Sequence, residues 1–111
     1  MARKLDKAEW EAYFDRMAKT LGAQSVDITI ASPALGSQKA ADWLPLIGIT
    51  YDRKDDVLEV AAEGVDHLIL HPREIQVEEE GGGLTALDVV DPDGNHQIVT
   101  LKAPLTLPPP A

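Results

Sequence analysis

The groups able to do chemistry crowd into one stretch, DHLILHPREIQV from Asp66 to Val77, which holds Asp66, His67, His71, Arg73 and Glu74. Two imidazoles and a carboxylate are the donor set of a mononuclear metal site. His67 and His71 are four residues apart, so they share a face in either a helix or a strand. A strand excludes a common ion, because four extended residues span roughly 13 Å. Ligation therefore requires a helical turn from Asp66 to His71, capped by Asp66 and broken by Pro72. Leu68, Ile69 and Leu70 between the histidines read as core, and a structural role outweighs ligation for both imidazoles. No metal and no cofactor are expected.

Arg73 beside Glu74 reads as an ion-paired turn, or as a fork for a partner's carboxylate. Trp43, just before Leu44-Pro45, is either core or an exposed anchor for a partner, and core is the favoured reading. Asp66, His67, His71, Arg73, Glu74 and Trp43 are thus the candidate ligand- or partner-binding residues, and none is assigned to catalysis. Ser25, Ser32 and Ser37 lack the G-x-S-x-G context of a nucleophile elbow. Asp52, Asp55 and Asp56 lack the alternating ligands and closing glutamate of a calcium loop, so they read as turn residues. Glu78-Glu79-Glu80-Gly81-Gly82-Gly83 is a solvated acidic loop, without the lysine and serine of a phosphate loop.

The rest of the chain bounds what these groups can serve. With 19 acidic against 10 basic side chains the net charge is −9, which repels nucleic acid and anionic membrane alike. There is no cysteine, so disulfides, thiolate metal sites and cysteine nucleophiles are out, and a reducing cytoplasm suits the chain. No apolar run reaches the ~18 residues of a membrane span, and the N-terminus lacks the apolar core of a signal peptide.

The positioning elements follow from periodicity. Trp10, Tyr13, Phe14, Met17 and Leu21 form one stripe of a helix over about 6–21. Asp6 and Glu9 stand at capping-box positions, Leu5 and Trp10 form a staple, Lys19 suits the dipole and Gly22 stops the helix. Alternation then predicts strands over about 24–31, 46–51, 57–62, 73–79, 84–90 and 97–102. Gln38 to Trp43 is ambiguous between strand and helical turn. Asp91-Pro92-Asp93-Gly94-Asn95 suits a type I turn with a glycine bulge, and 104–111 is a proline-rich tail.

At 111 residues this is one domain, 1–111. The expected class is α+β, a helix over an antiparallel sheet of five or six short strands, with a curled small barrel as the variant. The element order is that of Sm- or SH3-like folds, as an analogy only.

The stretches WLPLIGITYDRKDDVLEV, EGVDHLILHPREIQV and LDVVDPDGNHQIVTLKAPLTLPPP, with the opening RKLDKAEWEAYFDR, resemble a family of small bacterial proteins known only as a domain of unknown function. The likeness spans nearly the whole chain. It implies a stand-alone bacterial protein, with HLILHPREI as a hallmark, and supplies no activity. The expectation is a non-enzymatic, cytoplasmic interaction or regulatory module with a protein partner, or itself as a homodimer. The alternatives are a metal- or small-ligand-binding protein using Asp66 to His71, and a small-barrel nucleic-acid binder disfavoured by charge.

Overall fold

The computed structural model describes residues 2–18, 24–80 and 83–106. The chain opens with a short strand β1 (Ala2–Lys4), a 3-10 turn (Lys7–Glu9) and a helix α1 (Trp10–Ala18). Seven strands follow: β2 (Ser25–Ser32), β3 (Gly36–Asp52), β4 (Val57–Ala62), β5 (Val65–Leu70), β6 (Glu74–Glu80), β7 (Gly83–Val90) and β8 (His96–Thr106). All eight strands join one antiparallel sheet in the order β1-β6-β7-β8-β2-β3-β4-β5.

This corrects the expected α+β layout. Among the described residues the molecule is mostly sheet, with one short helix, and the sheet has two ends, β1 and β5, which are not paired to each other as a curled barrel requires. Three extended segments account for the difference. Gln38 to Trp43 is strand, part of β3. Asp66 to Leu70 is strand too, where ligation needed a helical turn. Ala2–Lys4 adds a strand beside β6, in register Ala2 to Glu78 and Lys4 to Gln76.

The first stretch defied its periodicity because β3 is bulged. Val26 faces Leu44 and Ile28 faces Ala41, so β3 carries an extra residue there. Ile28 to Thr29 against Ala41 to Lys39 adds a second. Each extra residue flips the alternation and bends the strand. Trp43 lies in the bend with φ 51°, a left-handed conformation that costs a bulky residue about 1–2 kcal/mol. Beyond Pro45 the strand changes neighbours: up to there it pairs with β2, and from Leu46 to Asp52 with β4. A third bulge falls between Leu46 and Gly48.

The helix is seated as its stripe required. Trp10, Tyr13, Phe14 and Met17 are buried in a core shared with Val26, Ile28, Tyr51, Leu58, Val99 and their neighbours. The capping box holds through Glu9, whose carboxylate accepts from the Asp6 N–H at 2.9 Å. Leu5 is buried, and its carbonyl accepts from the Trp10 indole at 3.3 Å. Trp10 meets Tyr51 of β3 edge to face, with centroids 5.1 Å apart. Lys19, Leu21 and Gly22, read as the end of this helix, lie outside the described residues, as do the glycines 81–82 and the tail beyond Thr106.

Glu79 ties β1 and α1 to β6. Its carboxylate accepts from the Arg3 guanidinium and from the Tyr13 hydroxyl, both at 3.0 Å. Burial, and then this bond, push the Tyr13 hydroxyl far above its usual range. Phe14→Ala is expected to cost about 3–5 kcal/mol through the cavity it leaves. Leu35→Ala, in an exposed turn, should stay within about 0.5 kcal/mol. Urea unfolding of both variants measures the contrast.

Candidate functional site

Strand β5 carries most of the candidate residues, and its ladder decides where each one points. Its register against β4 pairs Leu58 with Ile69 and Val60 with His67 on one face. Val57 with Leu70, Glu59 with Leu68 and Ala61 with Asp66 occupy the other. Leu58, Val60 and Ile69 are buried, so the first face is the inner one. His67 therefore points inward, while Asp66, Leu68 and Leu70 point outward.

His67 enters a polar network under the sheet. Its Nε2 lies 2.6 Å from Gln97 Oε1 on β8, and Gln97 Nε2 donates to Asp91 Oδ2 at 2.9 Å. Asp91 also accepts from the backbone N–H groups of Asp93 and Asn95 and from the Asn95 side chain. That closes the turn between β7 and β8, where Gly94 takes the left-handed φ of 82° that the bulge requires. Asp91 and Gln97 are buried. Burial opposes ionisation of Asp91, but the bonds from Gln97, Asn95 and Asp93 outweigh it and hold the carboxyl below the usual range.

His71 belongs elsewhere. It follows the end of β5 with φ 52°, its N–H donates to the Asp56 carbonyl at 2.8 Å, and its Nδ1 lies 3.4 Å from Asp56 Oδ2. Asp56 closes the β3–β4 turn, itself at φ 52°. The buried Tyr51 hydroxyl donates to Asp56 Oδ1 at 2.6 Å, and Lys7 Nζ stands 3.7 Å away. The Tyr51 bond, helped by His71 and Lys7 against partial burial, holds the Asp56 carboxyl below its ordinary range. Tyr51 is pushed up to about 12, by burial first and then by Asp56.

The two histidines thus serve separate clamps, one within β5 and one just past its end. The structure brings His67 to Gln97 and His71 to Asp56, and joins neither to the other. Among the described residues no group of three or more His, Asp or Glu is placed to hold a metal ion. Glu74 pairs with Lys4 at 3.0 Å across the β1–β6 ladder. Arg73 is exposed: its backbone N–H donates to the Val90 carbonyl, and its side chain makes no ion pair among the described residues. Trp43, read as core, is 41% exposed at its bulge.

The leucines are the residues that the sequence reading misplaced. Leu68 is 50% exposed and Leu70 56%, whereas Ile69 is buried. An apolar triplet in a strand must put its middle residue opposite the other two, so the signal was there once the strand was known. Hydrogen bonding sharpens the point. The His71 N–H to Asp56 bond makes residues 71, 69, 67 and 65 the ones bonded to β4. Asp66, Leu68 and Leu70 then aim their backbone N–H and C=O groups at the other edge, which pairs with no strand among the described residues. Asp66 stands beside Glu59 on the outer face, and its nearby carboxyl, with some burial, raises the Glu59 carboxyl.

The chain belongs to a family of unknown function, DUF5335, whose sequence pattern matches residues 1–110. The resemblance read from the sequence is borne out. The chain is similar to an uncharacterized protein of Aquifex aeolicus (strain VF5), 44% identical over 110 residues that cover 97% of this chain and 99% of that one. No solved structure matches. No helix of the described residues is long and apolar enough to cross a membrane.

Both clamps are testable. Tyr51→Phe should cost about 1 kcal/mol near neutral pH. Asp56 is depressed on folding, so its contribution is present above the ordinary carboxyl range and lost as pH falls through the folded value. Losing the Tyr51 donor weakens that contribution, and the gap between wild type and variant narrows in acid. Tyr51 itself is raised, so wild type loses stability between about pH 10 and 12, and the phenylalanine variant is spared this loss. Urea unfolding at acid, neutral and alkaline pH reads both signs. Gln97→Leu should cost about 2–3 kcal/mol, because it leaves His67 and Asp91 without their shared partner. The same unfolding assay measures it.

Proposed function

We propose that this protein is a non-enzymatic, cytoplasmic interaction module of a bacterium, and that it binds another polypeptide along the free edge of β5. The observation that carries this reading is the contrast between the two ends of one sheet. The β1 end is three residues long, and Arg3 and Lys4 guard it. Short length and cations are the usual means of blocking strand addition. The β5 end is six residues, VDHLIL, has no cation, and turns Leu68 and Leu70 to solvent beside its free backbone groups. An added strand gains main-chain hydrogen bonds there and apolar contact on one face.

The same face argues for protein over nucleic acid. Next to the leucines stand Thr50, Glu59, Asp66 and Asp52 on the outer side of β3–β5, without a basic side chain among these ladder positions. A phosphate backbone gains nothing there. A cysteine-free chain suits a reducing compartment.

The test is a photoreactive side chain placed at position 68, with position 35 as the control, in bacterial cells that carry the protein. Both sites are exposed leucines, and only the first lies on β5. Position 68 is expected to give discrete protein adducts and position 35 none. Adducts missing from position 68 would refute the reading.

A further inference from the structure

We infer that the polypeptide added to β5 is a second copy of β5, paired antiparallel about a two-fold axis that passes beside Leu68. The inference rests on the β5 edge being the binding surface, and it names the occupant. Three features of the strand make it its own complement.

The first is ladder parity. Residues directly opposite each other in an antiparallel pair lie on the same face of the sheet. A two-fold axis perpendicular to the sheet therefore allows only registers in which a residue faces its own copy, because any other choice sets an inward side chain against an outward one. The free backbone groups belong to Asp66, Leu68 and Leu70. Centring on Leu68 sets Leu68 against the partner's Leu68, Asp66 against the partner's Leu70, and Leu70 against the partner's Asp66. Every free N–H and C=O of these three residues then finds a partner. Shifting the centre to His67 or Ile69 leaves part of the set unmatched, and in the latter case presents Pro72, which has no N–H to give.

The second is side-chain matching. The exposed leucines meet at the centre of the outer face, where each copy alone leaves them half in water. On the inner face His67 lies opposite the partner's Ile69, so the ladder extends without displacing the Gln97 clamp.

The third is charge. Acids stand before and near the start of the strand, Glu63 and Asp66, and His71 and Arg73 follow its end. Antiparallel pairing lays the acidic end of each copy beside the basic end of the other, twice by symmetry. Arg73, exposed and without an ion pair among the described residues, gains a carboxylate neighbour that way. A parallel or unrelated arrangement does not offer this match.

The chain has no cysteine, so the register can be read with single substitutions. Purified wild type is expected to run as a dimer by light scattering coupled to size exclusion, and Leu68→Lys to weaken the dimer at least tenfold. Glu63→Arg and Arg73→Asp, at positions that this register sets opposite each other, should each weaken it, and the double exchange should restore it. Under mild oxidation Leu68→Cys should give a disulfide-linked dimer, since hydrogen-bonded antiparallel pairs stand about 5.5 Å apart at Cα. Leu70→Cys, facing the partner's Asp66, should not. Wild type that stays monomeric to about 1 mM, a dimer that survives Leu68→Lys, or equal crosslinking at 68 and 70 overturns the pairing. Adducts at position 68 in cells, joined to a different protein while the purified chain is monomeric, would overturn the second copy and leave the β5 interaction standing.

Discussion

Everything in this fold depends on β3 serving two neighbours in turn. A strand of a sheet ordinarily keeps its partner for its whole length on a given side, but β3 gives its first half to β2 and its second half to β4. The switch falls at Pro45, a residue with no N–H to place, so no donor is orphaned there. The flanking groups are satisfied by cross-links: the Leu46 N–H donates to the Gln24 carbonyl, and the Pro45 carbonyl accepts from Glu63. Bulges before and after the switch supply the bend. Because of that bend β4 and β5 fold back far enough for His67 to meet Gln97 on β8. It also sets Tyr51 where Trp10 can lie across it, so the helix finds its seat on the same strand.

An edge strand held by one ladder is the weakest part of a sheet, and the polar clamps compensate. β5 is tied through His67 to the β7–β8 turn and through its following residue, His71, to the β3–β4 turn. These contacts position the strand without occupying its outer side. Structural histidines and an accessible edge are therefore two aspects of one arrangement, which is why residues that look like ligands in the sequence end as fasteners.

How much of this was legible varied with the physics behind each element. The helix stripe was plain, because Trp10, Tyr13, Phe14 and Met17 bury on a 3.6-residue period that no other structure imitates. Strands β2, β4, β6 and β7 showed clean alternation, and so did the second half of β3 and the first of β8. The first half of β3 was obscured by its bulges, since each extra residue inverts the pattern that marks a strand. β5 was obscured differently: its apolar residues lie on both faces, and LIL between two histidines reads equally as a buried turn. β1 is an alanine and two basic residues, paired only through tertiary contact, and no local pattern announces that. The His67–Gln97 and His71–Asp56 partnerships join residues 30 and 15 apart, and spacing along the chain carries no trace of them.

The clamp at Gln97 has a directional consequence. An ionised Asp91 can only accept, so the amide of Gln97 must turn its NH2 toward the carboxylate and its oxygen toward His67. The imidazole must then carry a proton on Nε2, the atom that faces that oxygen. A carboxylate in the β7–β8 turn thereby dictates a protonation site of a ring on another strand, through one neutral side chain that only relays polarity. The position of the glutamine is in this sense narrower than its chemistry suggests: a glutamate there would face Asp91 with a like charge, and a lysine would leave His67 without an acceptor.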